Sequence, residues 1–322
     1  MKNSVPLAAL LILGIASAGA RCDEQSAAAA LEQYGCRVKR DESQPGKPVV
    51  EVTIVSRPVE DEVLRELPAL NQLRSLTLIS TGCNVDTALK GLKDMKKLEV
   101  LNLRTCKLTD FSVKQIAMVP ALRKLDIRLT GMTDEKLKEL AGLKKLEKLY
   151  VNDEGVTDNG MKTLAQLTQL QVLDLRNTTV GDAGLKELAG LKNLEELELT
   201  QTQVTDAGLK ELIGLKKLQS LSLWDTRVTN TGLKEIAKLE GLLTLSVGTG
   251  VTDEGLKELA ALKQLQNLSL SDTGITDTGL KHLVSLTKLK YLNLTRTKVT
   301  ETGVAALKEA LPACKIEWDR AP

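Results

Sequence analysis

One 24-residue unit is written almost end to end along this chain, and it leaves few folds open. It is clearest in residues 194–217, LEELELTQTQVTDAGLKELIGLKK. Leu197 and Leu199 alternate after a leading Leu194, the period-2 pattern of a short half-buried strand. Val204 follows, and then Thr205-Asp206-Ala207-Gly208 offers a helix start whose hydroxyl or carboxylate can accept an orphan backbone N–H. Leu209, Leu212 and Leu215 recur every third residue among Lys and Glu, as in a short amphipathic helix. A strand and a helix of this size cannot bury their apolar faces alone, so neighbouring units must stack and share one core.

Units start at Val49, Leu73, Leu98, Leu122, Leu146, Leu170, Leu194, Leu218, Leu242, Leu265 and Leu289. One spacing is 25 residues (Leu73 to Leu98) and one is 23 (Leu242 to Leu265). The insertion falls near Gly82-Cys83-Asn84-Val85 and the deletion near Gly248-Thr249-Gly250, both in the turn between strand and helix, so both registers survive. Ala313–Trp318 repeats the strand spacing once more and stops, as a terminal cap would.

The pattern LxxLxLxxTxVTDxGLKxLxxLxx, as in Leu170–Asn193 and Leu194–Lys217, resembles the leucine-rich repeat family, especially exported bacterial members with 24-residue repeats. It is also similar to the cysteine-containing repeats of F-box proteins, which share an ITDxGL segment, and Cys106 sits where that variant often carries cysteine. The resemblance covers roughly residues 49–318. It implies an α/β fold, a right-handed horseshoe-shaped solenoid with a parallel sheet on the concave face and helices on the convex one. Departures are local: Val113 and Lys136 fall in or beside the Gly-Leu step, Glu154 replaces the threonine, and the first unit, Val49–Gln72, is degenerate.

Met1-Lys2-Asn3, an apolar run from Val5 and the ending Ala18-Gly19-Ala20 have the three regions of a secretory signal peptide, so residues 1–20 are expected to be cleaved and the protein exported to a periplasmic or extracellular location. The run is short for a transmembrane span. Lipid anchoring at Cys22 is disfavoured, because Arg21 stands where a small residue is needed. Residues 21–48 break the composition and read as an N-terminal cap of a short helix, Asp23–Tyr34, and a hairpin. The repeats then fill 49–312, and 313–322 form the cap strand and tail.

Five cysteines (Cys22, Cys36, Cys83, Cys106, Cys314) have no CxxC spacing, and their pairing is open. Cys83 and Cys106 fill inward slots of adjacent repeats, which would allow a bridge. A Cys22–Cys36 bridge is disfavoured by an intervening helix that holds its ends about 15 Å apart.

The chain shows no machinery for turnover. Its one histidine, His282, occupies a surface helix position, its glycines are spread at one per repeat, and no metal-ligand set or cofactor motif is present. The recurrent Asp134, Asp158, Asp182, Asp206, Asp253 and Asp277 stand in the helix-capping slot, one repeat apart, too dispersed to act on one substrate as acid and base. The threonine column (Thr81, Thr130, Thr178, Thr202, Thr226, Thr273, Thr297) is expected to turn inward and hydrogen-bond the backbone of the neighbouring turn. With 44 basic and 42 acidic residues, the overall charge gives no sign of nucleic-acid binding.

Function must then lie on the concave face, which the third, fifth and seventh residue of each strand segment supplies. Three of the six aromatics, Tyr150, Trp224 and Tyr291, fall there. So does a mixed-charge strip of Asn102, Arg104, Asp126, Arg128, Tyr150, Asn152, Asp174 and Arg176. Aromatic residues and Arg are the types enriched at binding hot spots, so these ten residues are the candidate contacts for a protein or peptide. Arg and Asp neighbours could also simply neutralise one another across the sheet. A cell-envelope glycan is the alternative partner, suggested by Ser222, Ser246, Ser269 and Asn293 beside Trp224 and Tyr291. An F-box-like substrate adaptor is a remote one, because the cap has no room for an F-box.

Overall fold

The computed structural model describes residues 23–55, 60–79 and 85–319. The expected signal peptide, Cys22, Thr81 and Cys83, and with them both suggested disulfides, lie outside these residues.

A helix, Glu24–Gln33, precedes a hairpin of β1 (Arg37–Arg40) and β2 (Val49–Val55), the antiparallel start of the sheet. The strands that follow are β3 (Ser75–Ile79), β4 (Val100–Asn102), β5 (Lys124–Asp126), β6 (Lys148–Tyr150), β7 (Val172–Asp174) and β8 (Glu196–Glu198). Then come β9 (Ser220–Ser222), β10 (Thr244–Ser246), β11 (Asn267–Ser269), β12 (Tyr291–Asn293) and β13 (Lys315–Glu317). They form one sheet in sequence order, parallel from β2 onward. Each strand returns through a short helix on one side, the right-handed crossover that twisted parallel strands favour. Equivalent positions pair throughout, from Leu76↔Leu101 across the 25-residue unit to Leu245↔Leu268 across the 23-residue one, so insertion and deletion leave the sheet in register.

Leucine columns fill the interior. In the unit at Leu194, the residues Leu194, Leu197, Leu199, Val204, Leu209, Leu212 and Leu215 are all buried. The C-terminal end of this core is covered by β13, with Ile316 and Trp318 packed against it.

The TDxG segment works between repeats as well as within them. Thr205, extended at φ −119°, is the N-cap and accepts from Ala207 N, and Thr157 and Thr229 do the same for Asn159 N and Thr231 N. The aspartate expected in the capping slot instead serves the following repeat. Asp182 accepts from Thr205 N at 2.8 Å and Thr205 Oγ1 at 2.7 Å. The same pair of hydrogen bonds joins Asp134 to Thr157, Asp206 to Thr229, Asp253 to Thr276 and Asp277 to Thr300. Asp158 meets Gly181 in place of threonine and keeps only the backbone bond, at 2.7 Å. Capping threonine and clamping aspartate therefore form a ladder down the convex side. It satisfies polar groups that stacking would otherwise bury unpaired.

The inward threonine column closes its own turn rather than the neighbouring one. Thr130, Thr178, Thr202 and Thr273 donate to the carbonyl three residues back (Ile127, Leu175, Leu199, Leu270) at 2.6–2.7 Å. Geometry decides this, since a hydroxyl on a short side chain reaches the i−3 carbonyl before it reaches the next repeat. In the same slot the longer Cys106 Sγ does cross, to Leu78 O at 3.2 Å.

Candidate functional site

Seven of the concave strands end in a tight turn with a left-handed residue. Thr105, Leu129, Asn177, Gln201, Asp225, Asp272 and Arg296, all at the eighth position of their units, have φ between 54° and 62°. The fifth residue supports this turn wherever it is Asx. Asn102 accepts from Arg104 N at 3.1 Å, Asp126 from Arg128 N at 3.3 Å, Asp174 from Arg176 N at 3.2 Å and Asn293 from Thr295 N at 2.9 Å. These side chains thus have a local task that any repeat would need.

Two of them are also roofed over. Arg128 binds Asp126 through Nε at 2.9 Å and Nη2 at 2.6 Å, the two-pronged geometry that suits a guanidinium to a carboxylate. Its Nη1 reaches across β6 to Asp174 Oδ2 at 3.6 Å. Arg176 holds Asp174 from the other side, Nε lying 2.9 and 3.0 Å from its two oxygens, and Nη2 approaches Glu198 at 3.8 Å. Asp126 and Asp174 are left 4% and 1% exposed. The hydrogen bond to Asp126 stabilises the charged Arg128 and that to Asp174 the charged Arg176, which raises both pKa values. Burial, only partly opposed by Arg176, pushes the Glu198 carboxyl up.

Tyr150 stands over this network with Lys124 Nζ at 5.4 Å and Arg128 Cζ at 5.2 Å from its ring centroid, a doubled cation–π contact. Burial is the main reason its phenol pKa is raised. Asn152 is nearly covered, and its carbonyl accepts from Leu129 N at 3.2 Å.

The structure therefore gathers Asp126, Arg128, Tyr150, Asp174 and Arg176 into one cluster and adds Lys124 and Glu198, which the candidate set omits. Both stand in the concave columns. Arg104 is exposed at the edge of the cluster, beside Asn102. Trp224 and Tyr291 belong to other groups. Trp224 Nε1 donates to Asp272 Oδ2 at 3.3 Å, so the indole crosses the intervening repeat at Gly248. Asp272 also takes Arg296 (Nε–Oδ1 2.5 Å, Nη2–Oδ2 2.6 Å), whose hydrogen bond holds its carboxyl below the usual range. Tyr291 donates to Glu317 at 2.6 Å, under Lys315 Nζ at 5.8 Å from its ring. Asp272 and Arg296 sit at the left-handed turn position, outside the columns that strand alternation marks as concave.

Among the described residues no group of His, Cys, Asp and Glu is arranged to hold a metal, and no helix is long and apolar enough to cross a membrane.

A family profile described as Leucine Rich repeat matches residues 166–189, 190–212, 263–284 and 285–308. No curated protein matches the chain in sequence. Among solved structures, an internalin from Listeria monocytogenes is similar over 93% of this chain and 96% of its own, at 16% identity and a TM-score of 0.62. A leucine-rich repeat protein from Leptospira interrogans covers 81% of each chain, at 20% identity and a TM-score of 0.47. The recurring unit, the in-register parallel sheet with its helical returns, the profile matches and the internalin-like fold converge: the chain folds as a leucine-rich repeat solenoid, and four of its segments match the family profile directly.

Proposed function

We propose that this chain is a non-catalytic, exported binding scaffold that holds a protein or peptide partner against its concave sheet. The observation that carries this reading is the preorganisation of the concave side chains. Arg128, Arg176 and Tyr150 are already fixed by ion pairs and cation–π contacts, while Arg104 stands exposed beside them. Side chains ordered before contact lose little entropy on binding, and a repeat array offers an extended surface. No turnover and no cofactor enters this reading.

Crosslinking and affinity capture from the exported fraction of the native cell tests it, comparing wild type with Arg104→Glu/Trp224→Ala. A discrete partner captured by wild type and lost by the folded variant supports the concave face. Equal capture by both moves the interface elsewhere. N-terminal sequencing of the native protein tests export, with a start close to residue 21 expected.

A second reading, a cell-envelope glycan, is favoured by one feature. Trp224 is anchored through its N–H to Asp272 two repeats on, in the half of the concave face whose columns carry Ser222, Ser246, Ser269 and Asn293, so its ring offers a platform on which a sugar could stack. Polysaccharide binding lost in Trp224→Ala would establish it.

A further inference from the structure

The concave face is electrostatically lopsided. Its columns in the four units from Leu98 to Asn193 carry five basic residues, Arg104, Lys124, Arg128, Lys148 and Arg176, and two acidic ones, Asp126 and Asp174. Both acids lie beneath the arginines. The columns from Leu194 onward carry two acidic residues, Glu196 and Glu198, and no basic one. The whole chain is nearly neutral at +2, so this separation is local.

Within the basic half the guanidinium forks of Arg128 and Arg176 are occupied, but three cations are not. Lys124 and Lys148 pair in register on adjacent strands, about 4.8 Å apart at the backbone. Like charges placed directly opposite one another destabilise a sheet. Among the described residues no carboxylate comes within 4.0 Å of either ammonium or of the Arg104 guanidinium. Lys124 settles for the Tyr150 ring. The sheet thus keeps a repulsive pair at its concave centre without the counter-charge that it supplies to Arg128 and Arg176.

We infer that Arg104, Lys124 and Lys148 form the docking site for an acidic segment of a polypeptide partner, whose carboxylates supply the missing counter-charges. This rests on the protein-binding reading above and names the chemistry of the partner. An extended segment crossing the strands places residues i and i+2 about 7 Å apart on its sheet-facing side, a distance that flexible lysines on adjacent strands can span. Three available cations suit two or three carboxylates. They suit a densely charged polymer poorly, because its binding grows with the number of charges neutralised.

The test is selection from a random 12-residue peptide library displayed on phage, with full-length protein as target. Each selected sequence is then made as a synthetic peptide and measured by fluorescence anisotropy. Enrichment of peptides with acidic residues at i and i+2 is expected. Affinity should fall at least ten-fold in Lys124→Glu/Lys148→Glu, with far-UV circular dichroism unchanged, and likewise when peptide Glu is replaced by Gln. Neutral or basic peptides, or acidic ones that bind the double variant equally well, overturn this inference. If those peptides still lose binding in Arg104→Glu/Trp224→Ala, the protein-binding scaffold stands without it. No selected peptide, together with binding of heparin or polyphosphate, overturns both.

Discussion

The Asp134 carboxylate occupies the space in which a side chain at Gly160 would begin. A Cβ on Gly160 would lie 2.6 Å from Asp134 Oδ1 and 2.9 Å from Leu137 Cδ1. That carboxylate is not free to withdraw, because Thr157 grips it through N–H at 2.8 Å and Oγ1 at 2.6 Å. The glycine of the TDxG segment is therefore dictated by the aspartate of the preceding repeat.

Gly160→Ala is expected to destabilise the protein by about 1–3 kcal/mol, the usual range for overpacking a tight site. Removing the obstruction in Asp134→Ala/Gly160→Ala should make the double variant less destabilised than the sum of the two single changes. Chemical-denaturation midpoints of the four proteins measure the coupling, and strict additivity would show that Asp134 and Gly160 do not interact.

Arg128→Ala strands Asp126, a nearly inaccessible carboxylate, without its counter-ion and leaves the equally buried Asp174 to Arg176 alone. Losing one partner of a buried ion cluster is expected to cost about 2–4 kcal/mol. Arg104→Ala, on an exposed side chain of the same column, should stay within about 0.5 kcal/mol of wild type. Matching losses for the two would contradict the division between locked and available arginines.

Leu129 holds φ 57° while its side chain is 52% exposed, so a branched residue adopts a left-handed turn and buries little in return. Leu129→Asn should raise stability by about 0.5 kcal/mol, because Asn tolerates this conformation. A lower denaturation midpoint would mean that the leucine makes a contact worth more than the strain.

Burial raises the Glu198 carboxyl above its unfolded value, so the folded chain binds this proton more readily than the unfolded one. The sign follows from linkage: stability is greatest with Glu198 protonated and falls as pH rises from the ordinary glutamate range, about 4.3, through the raised folded value. Glu198→Gln should remove that slope and leave the protein as stable or more stable at pH 7. Urea midpoints of both proteins between pH 4 and 8 test this, and parallel profiles would disprove it.

Leucine spacing made the solenoid legible, because each column of Leu194, Leu197 and Leu199 equivalents has one possible destination. The strand registers followed, since an insertion placed in a turn cannot shift a ladder. The threonine and aspartate columns were visible as columns, but their partners were not. Both types form short-range caps, and only the stacked distance shows that Asp182 reaches Thr205 while Thr202 stops at Leu199. Alternation says which residues point away from the core, yet it is silent on Arg128 folding down over Asp126 and reaching two strands further to Asp174. Asp272 and Arg296 escaped because a left-handed turn residue has no place in a period of two.

The aspartate–threonine ladder has a direction, since every acceptor sits one unit upstream of its donors. As a chain grows from its N-terminus, each emerging threonine meets an aspartate whose own repeat has already been made. Assembly can then follow synthesis repeat by repeat, each finished turn serving as the template for the next.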